Sequence, residues 1–431
     1  MRILKDFKMP KIKLPKFKMN NLGDLEDLNL EYVRNSQERV KEMKDFEIYE
    51  PMTFRTIKEV FQNSITAYKE RTAILEKREH KEAFREYTYE TFGRDVISLG
   101  TGMTKYLNLR DKAVIIVGEN CYHWYVSYMA MLCGVGIAVP VDKELPANEF
   151  EGLVKRSKAA AIIYSPKKKD LIYKIKHAVP EVEYFIPMYS DAPLADKTVG
   201  FESVMEIGNK LVEAGDNSFM EIEIDPEAFK VLIFTSGTTA NSKGVMICNR
   251  NLAQNINAVS AYVKLYPEDR LMSVLPLHHT YESTIGFLVP LASGCSVGVC
   301  EGLKYIVQNL KELQPTAILT VPLLVENLYK KIRENIRKSK KSGLVTSMIH
   351  ITNGLKSLNV DIKRKVFSEI YDNLGGRLRI VVTAAAPIDP KIGKWLEEMC
   401  IRDSCRGWVW PPRKILSKPG RRSTVFCPLK I

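Results

Sequence analysis

The run Thr235-Ser236-Gly237-Thr238-Thr239-Ala240-Asn241-Ser242-Lys243-Gly244 gathers hydroxyls, small residues and one lysine, a set suited to holding phosphate. Thr235, Ser236, Thr238 and Thr239 offer hydroxyl donors, Lys243 a mobile positive charge, and Gly237 and Gly244 let the backbone approach an anion closely. The apolar run Val231-Leu232-Ile233-Phe234 before it predicts a buried strand, and Asn249 predicts a cap on a helix beginning near Asn251. The loop is therefore expected to join a strand to a helix, where backbone N–H groups converge on an anion. Walker A chemistry is excluded, because that pattern needs glycine before the lysine and Ser or Thr after it, whereas Lys243 lies between Ser242 and Gly244.

A second cluster, Pro276-Leu277-His278-His279-Thr280-Tyr281-Glu282, follows the predicted strand Leu271–Leu275, with His279 36 residues past Lys243. Its side chains are expected at the C-terminal end of a strand, where open α/β sheets bind ligands. Two histidines in a polar cluster after a proline favour function over a structural role.

The hydroxyl-rich string resembles the signature of the acyl-adenylate-forming superfamily, and the histidine cluster resembles that superfamily's histidine motif in its long-chain acyl-CoA synthetase form. The family has glycine where this chain has Ala240 and proline where it has Ser242. The resemblance implies that His279 lies near the carboxylate and the α-phosphate, donating a hydrogen bond to developing charge, with His278 as an orienting neighbour. Leu378-Arg379-Ile380-Val381-Val382-Thr383-Ala384-Ala385-Ala386-Pro387 resembles the adenine-binding segment, where Ala384, Ala385, Ala386 and Pro387 would let the backbone lie flat against a purine. ATP, Mg2+ and coenzyme A are the implied cofactors and co-substrates, and a fatty or other carboxylic acid is the implied substrate. The fold implied is α/β: the large N-terminal domain of an adenylate-forming enzyme, with two doubly wound βα lobes, incomplete at the C-terminus.

Alternating helix and strand patterns from about residue 50 agree with that fold. Strands are predicted at Val114–Val117, Ile137–Val139, Ala160–Ile163, Val182–Ile186, Ser296–Val299, Ala317–Thr320 and Leu378–Val382. Helices are predicted at Tyr122–Cys133, Pro146–Arg156, Leu171–Ala178, Leu323–Ile336 and Ile362–Leu374, with a solvated loop at Lys338–Lys341. The segment Ile285–Leu291 reads as core, and only the resemblance makes it, with Val321–Val325, a wall for an acyl chain. Gly118-Glu119-Asn120 and Cys133–Asp142 look like the family's scaffold rather than its chemistry. The expected organisation is a basic tail and leading helix over 1–45, a first lobe over 46–225, and a second lobe with the phosphate loop over 226–398.

With 45% hydrophobic and 27% charged residues, the chain is neither disordered nor a membrane bundle by composition. The net charge of +13 resides in the two ends. Arg2, Lys5, Lys8, Lys11, Lys13, Lys16 and Lys18 oppose Asp6, while Arg402, Arg406, Arg413, Lys414, Lys418, Arg421, Arg422 and Lys430 oppose Asp403. The body between is about neutral, so no nucleic acid is expected as a partner. Residues 1–18 leave two readings open, a solvated tail or peripheral contact with anionic membrane. Scattered cysteines without ligand spacing predict a reduced, cytoplasmic protein, and no metal residue is assigned, because in the family the group that engages magnesium lies beyond Glu398.

Beyond Glu398 the family runs into a Gly-Tyr-Gly-x-Thr-Glu motif that this chain lacks. Met399-Cys400-Ile401-Arg402-Asp403-Ser404 is what a common sequencing-adapter oligonucleotide encodes, so 399–431 are expected to be a non-native tail. Three functions are left standing: a long-chain fatty-acid–CoA ligase, an adenylate-former that loads a carrier protein, and a non-catalytic nucleotide- or acyl-binding module.

Overall fold

The computed structural model describes residues 49–235, 242–338, 372, 374–384, 389, 391 and 392. Residues 1–45 and 399–431, nearly all of the helix expected at Ile362–Leu374, and the loop expected after Lys338 lie outside the described residues.

Twelve strands are present among the described residues, in two six-stranded sheets. In chain order they are β1 (Thr72–Glu76), β2 (Arg85–Thr88), β3 (Ala113–Val117), β4 (Ile137–Val141), β5 (Ala159–Tyr164) and β6 (Tyr184–Pro187). There follow β7 (Phe229–Thr235), β8 (Lys243–Cys248), β9 (Arg270–Ser273), β10 (Ser296–Val299), β11 (Ala317–Thr320) and β12 (Ile380–Thr383). One sheet runs β12-β11-β9-β10-β1-β2 and the other β6-β5-β3-β4-β7-β8. Neighbours are parallel except at one edge of each sheet, where β2 and β8 run antiparallel to β1 and β7.

The near-continuous apolar strands follow from burial on both faces. Val114 and Ile116 of β3 face one core while Ile115 and Val117 face another, as the two-residue period of a strand requires. The same division separates Ile74 from Leu75 on β1 and Leu319 from Ile318 on β11. The largest core takes residues from both sheets and from the helices Ile57–Ala67, Tyr89–Thr101, Tyr122–Ala130 and Asn249–Tyr262, so a helical layer is buried between the sheets. The segment read as core is confirmed there: Ile285, Phe287 and Leu288 are buried.

Three π-helical segments occur among the described residues, at Gly102–Tyr106, Met131–Val135 and Tyr281–Leu288, and the second widens a helix expected to be continuous from Tyr122 to Cys133. The helix from Tyr122 is α-helical to Ala130 and widens over Met131–Val135, ending at Gly134 with φ 148°. The segment Tyr281–Leu288 after the histidines is π-helical before α-helix resumes at Val289–Ala292. Among the described residues no helix is long and apolar enough to cross a membrane.

Candidate functional site at the strand ends

The hydroxyl-rich loop joins strand to strand, which corrects the expected strand-to-helix connection. Val245 and Ile247 alternate with Met246 across the β7 pairing, and Thr235 pairs with Lys243, so Lys243 and Gly244 already belong to β8. The helix then begins at Asn249, two residues before the predicted start, and Asn249 does not cap it from outside. Its side chain is fully buried: Oδ1 accepts from the Ile57 N–H at 2.5 Å and Nδ2 donates to the Leu132 carbonyl at 3.2 Å. Apolar packing and sheet pairing of Val245–Cys248 outweigh the helix-start signal of one asparagine.

Ser236, Gly237, Thr238, Thr239, Ala240 and Asn241 lie outside the described residues. The loop's far end is held by an arginine that sequence reading missed. The Arg156 guanidinium donates to Ser242 Oγ at 2.9 Å and to the Ser242 carbonyl at 2.5 Å, with its plane 5.1 Å from the Phe234 ring centre. Lys155 and Arg156 stand in the last turn of the helix Ala147–Ser157, a position where cations are common, so the sequence alone gives no sign of this role.

Parallel pairing sets the loop's start beside the end of β4. Ala138 pairs with Val231, so β7 runs parallel to β4, with Thr235 closing β7 and Asp142 following β4 at the same end of that sheet. Asp142 Oδ1 accepts from the Glu144 N–H at 2.9 Å and stands 3.9 Å from His278 Nε2. Lys143 adds a cation 3.8 Å from Glu119 at the end of β3.

The histidine turn leaves β9 at Ser273 and is fixed by side chains from the other sheet. Asn120 Nδ2 donates to Ser273 Oγ at 3.0 Å and to the Leu275 carbonyl at 2.8 Å, while its Oδ1 accepts from the Leu277 N–H at 3.1 Å. One asparagine thus replaces the strand partner that the turn lacks. The Gly118-Glu119-Asn120 turn, expected to be scaffold, holds the histidine turn by its backbone and by Ser273. A Cβ on Gly118 would come 2.6 Å from the Ser165 side chain, so glycine is needed for the turn to pack there.

The two histidine rings lie 4.2 Å apart and tilted by 42°. The His278 side chain is 13% exposed, and His279 is the more exposed of the two although neighbouring atoms still desolvate part of its ring. Burial first, then the neighbouring His279, pushes the His278 pKa down to about 4, against the pull of Asp142. Burial also lowers His279. Both rings are therefore neutral near pH 7, and a neutral imidazole has one N–H to give and one lone pair to accept with. The His279 carbonyl accepts from the Ser283 N–H at 3.0 Å and hydroxyl at 3.2 Å, which ties the turn to the π-helical segment.

Ala384 follows β12, its N–H bonded to the Thr320 carbonyl at 3.3 Å; Ala385, Ala386 and Pro387 lie outside the described residues. β12 is separated from β9 by β11, so Ala384 and the histidine turn stand at the same end of one parallel sheet. Among the described residues no group of three His, Cys, Asp or Glu side chains converges, and none is assigned to Mg2+.

A family model described as AMP-binding enzyme matches residues 61–408. Long-chain-fatty-acid–CoA ligase 5 of Rattus norvegicus is 26% identical over 356 residues, 78% of this chain and 52% of the relative. The chloroplastic long-chain-fatty-acid–[acyl-carrier-protein] ligase AEE15 of Arabidopsis thaliana is 25% identical over 305 residues, 66% of this chain and 40% of the relative. Among solved structures, a long-chain-fatty-acid–CoA ligase from Archaeoglobus fulgidus superposes with a TM-score of 0.60 at 16% identity, over 82% of this chain and 63% of that one. The chain spans about half the length of the mammalian relative. Its two-sheet fold, the turns at its strand ends and a family match over most of its length lead to one conclusion: the chain belongs to the AMP-binding enzyme family.

Proposed function

We propose that this chain carries the large-domain half of an enzyme that activates a long-chain fatty acid. The carboxylate attacks the α-phosphorus of ATP and pyrophosphate leaves with the β–γ oxygens, giving acyl-AMP. The thiol of coenzyme A then attacks the acyl carbon, losing its proton as AMP departs. Both steps load charge onto phosphoryl or acyl oxygens, so fixed hydrogen-bond donors and placement account for most of the rate.

The observation that carries this reading is Asp142, which follows β4 and stands 3.9 Å from His278, while β7, the parallel neighbour of β4, ends at Thr235 where the hydroxyl-rich loop begins. His279, neutral and the more exposed of the two rings, is the donor to the oxygens of the reacting carboxylate and α-phosphate. Thr235, Ser236, Gly237, Thr238, Thr239, Lys243 and Gly244 hold the β- and γ-phosphates, with Arg156 fixing the loop at Ser242. Ala384, Ala385, Ala386 and Pro387 provide the surface for adenine. Mg2+ would neutralise the phosphate oxygens when bound. Loading of a carrier protein is a second reading, favoured by the similarity to the plant acyl-carrier-protein ligase. Contact of residues 1–18 with anionic lipid would suit a fatty substrate.

The relatives' greater length supports one further statement, that the 431-residue chain turns over little on its own. The test is ATP–pyrophosphate exchange by the gene carried through its native continuation. Exchange that appears on adding a long-chain fatty acid supports the reading, and release of acyl-CoA or acyl-carrier protein separates the two acceptors. A folded enzyme that exchanges with no carboxylate at all refutes it, as does full activity of the 431-residue chain for the last point.

A further inference from the structure

Glu282 is fully buried, three residues beyond His279 on the π-helical segment. Its Oε1 accepts from Ser273 Oγ at 2.6 Å, and its Oε2 has no partner among the described residues. Ser273 Oγ in turn accepts from Asn120 Nδ2, the group that also holds the Leu275 carbonyl. A relay of side chains thus runs from the buried carboxyl through Ser273 and Asn120 to the backbone of the histidine turn. The pocket is shaped for the carboxyl: a Cβ on Gly286, one turn further along, would come 2.8 Å from its carbon.

We propose that Glu282 is a positioning residue, whose buried carboxyl acts through Ser273 and Asn120 to fix the Leu275–His279 turn and so the place of His279. This rests on the reading of His279 given under Proposed function, but its test needs no turnover. Desolvation raises the Glu282 pKa to about 8, so the carboxyl is protonated at neutral pH and lodges in the core without a charge. The groups facing it are Ser273 from β9 and Tyr125 from the helix Tyr122–Ala130, and Cys121 and Glu76 act electrostatically on Tyr125 as well. Among the described residues no cation pairs with it, so ionisation would place an uncompensated charge under the turn.

The experiment is site-resolved carbethoxylation of the full chain's histidines by diethyl pyrocarbonate, which attacks the neutral ring, from pH 6 to 9. His177 serves as the internal reference. In the wild type His278 labels slowly relative to His279 and gains reactivity as pH passes about 8. Glu282→Ala and Ser273→Ala raise His278 labelling about tenfold at pH 7 and leave His80 and His177 unchanged. Glu282→Gln, which keeps the shape and cannot ionise, leaves the pH 7 rate unchanged and removes the alkaline rise. If Glu282→Ala does not fold, the Gln variant and the wild-type profile decide. The proposal is overturned by folded Ala variants whose His278 and His279 rates stay within twofold of wild type, by Gln acting like Ala, or by a flat wild-type profile. None of these outcomes bears on fatty-acid activation, which the exchange assay judges separately.

Discussion

At the scale of single residues, the site is defined by which groups are kept neutral and by what surrounds them. His278 should titrate with a pKa below 5 in a histidine C2–H NMR series, and Asp142→Asn should lower it further by removing the one opposing charge. An ordinary pKa near 6.5 would mean that the ring is not packed under the turn. Gly286→Ala should destabilise the chain by about 1–3 kcal/mol, because its methyl meets the Glu282 carboxyl at 2.8 Å. Combining it with Glu282→Ala should recover part of that loss, giving a non-additive double-mutant cycle in urea unfolding. The histidines were legible in the sequence because two imidazoles after a proline at a strand end have few structural uses. Asn120, Ser273 and Glu282 were not, since their roles depend on a contact between residues 120 and 273 that no local pattern encodes.

Among the elements, strands buried on both faces were the most legible, as at Ser296–Val299 and Ala317–Thr320, where continuous apolar runs leave one register available. The β7–β8 hairpin was hidden, because Gly244-Val245-Met246-Ile247-Cys248 is short, mixed in polarity and followed by a strong helical pattern. Sheet membership was equally hidden: β1 and β2 pair into the sheet built mostly from residues 270–383, and β7 and β8 into the sheet that starts with β3. Asn249 links these elements, joining the start of one helix to the helix Ile57–Ala67 and to Leu132. Asn249→Ala leaves a buried N–H and a buried carbonyl unpaired, and should cost about 2–5 kcal/mol in urea unfolding. A loss under 1 kcal/mol would contradict that role.

For the whole molecule, the buried acid makes stability depend on pH in a definite direction. The folded-state pKa of Glu282 is raised from 4.5 to about 8, so its favourable contribution is complete below pH 4.5 and is lost as pH rises through 8. Glu282→Gln should therefore gain on the wild type across that interval, by about 5 kcal/mol at most. His278 acts oppositely: its lowered pKa gives stability present above pH 6.5 and lost as pH falls through about 4. Urea unfolding of both chains from pH 4.5 to 8.5 checks this, and parallel curves would contradict it. Within each sheet the turns discussed here follow the C-terminal ends of parallel strands, β9 and β12 in one and β4 and β7 in the other, the edge at which open α/β sheets bind ligands.

The central claim is that the hydroxyl-rich loop and the histidine turn form one phosphate-binding site. The most direct measurement is a titration of pyrophosphate into the 431-residue chain, followed on assigned histidine C2–H resonances, with Lys243→Ala in parallel. The account predicts a saturable shift of His278 and His279, absent from His80 and His177 and abolished or weakened at least tenfold in Lys243→Ala. Equal shifts at all four histidines, or a His279 response that does not depend on Lys243, would contradict it.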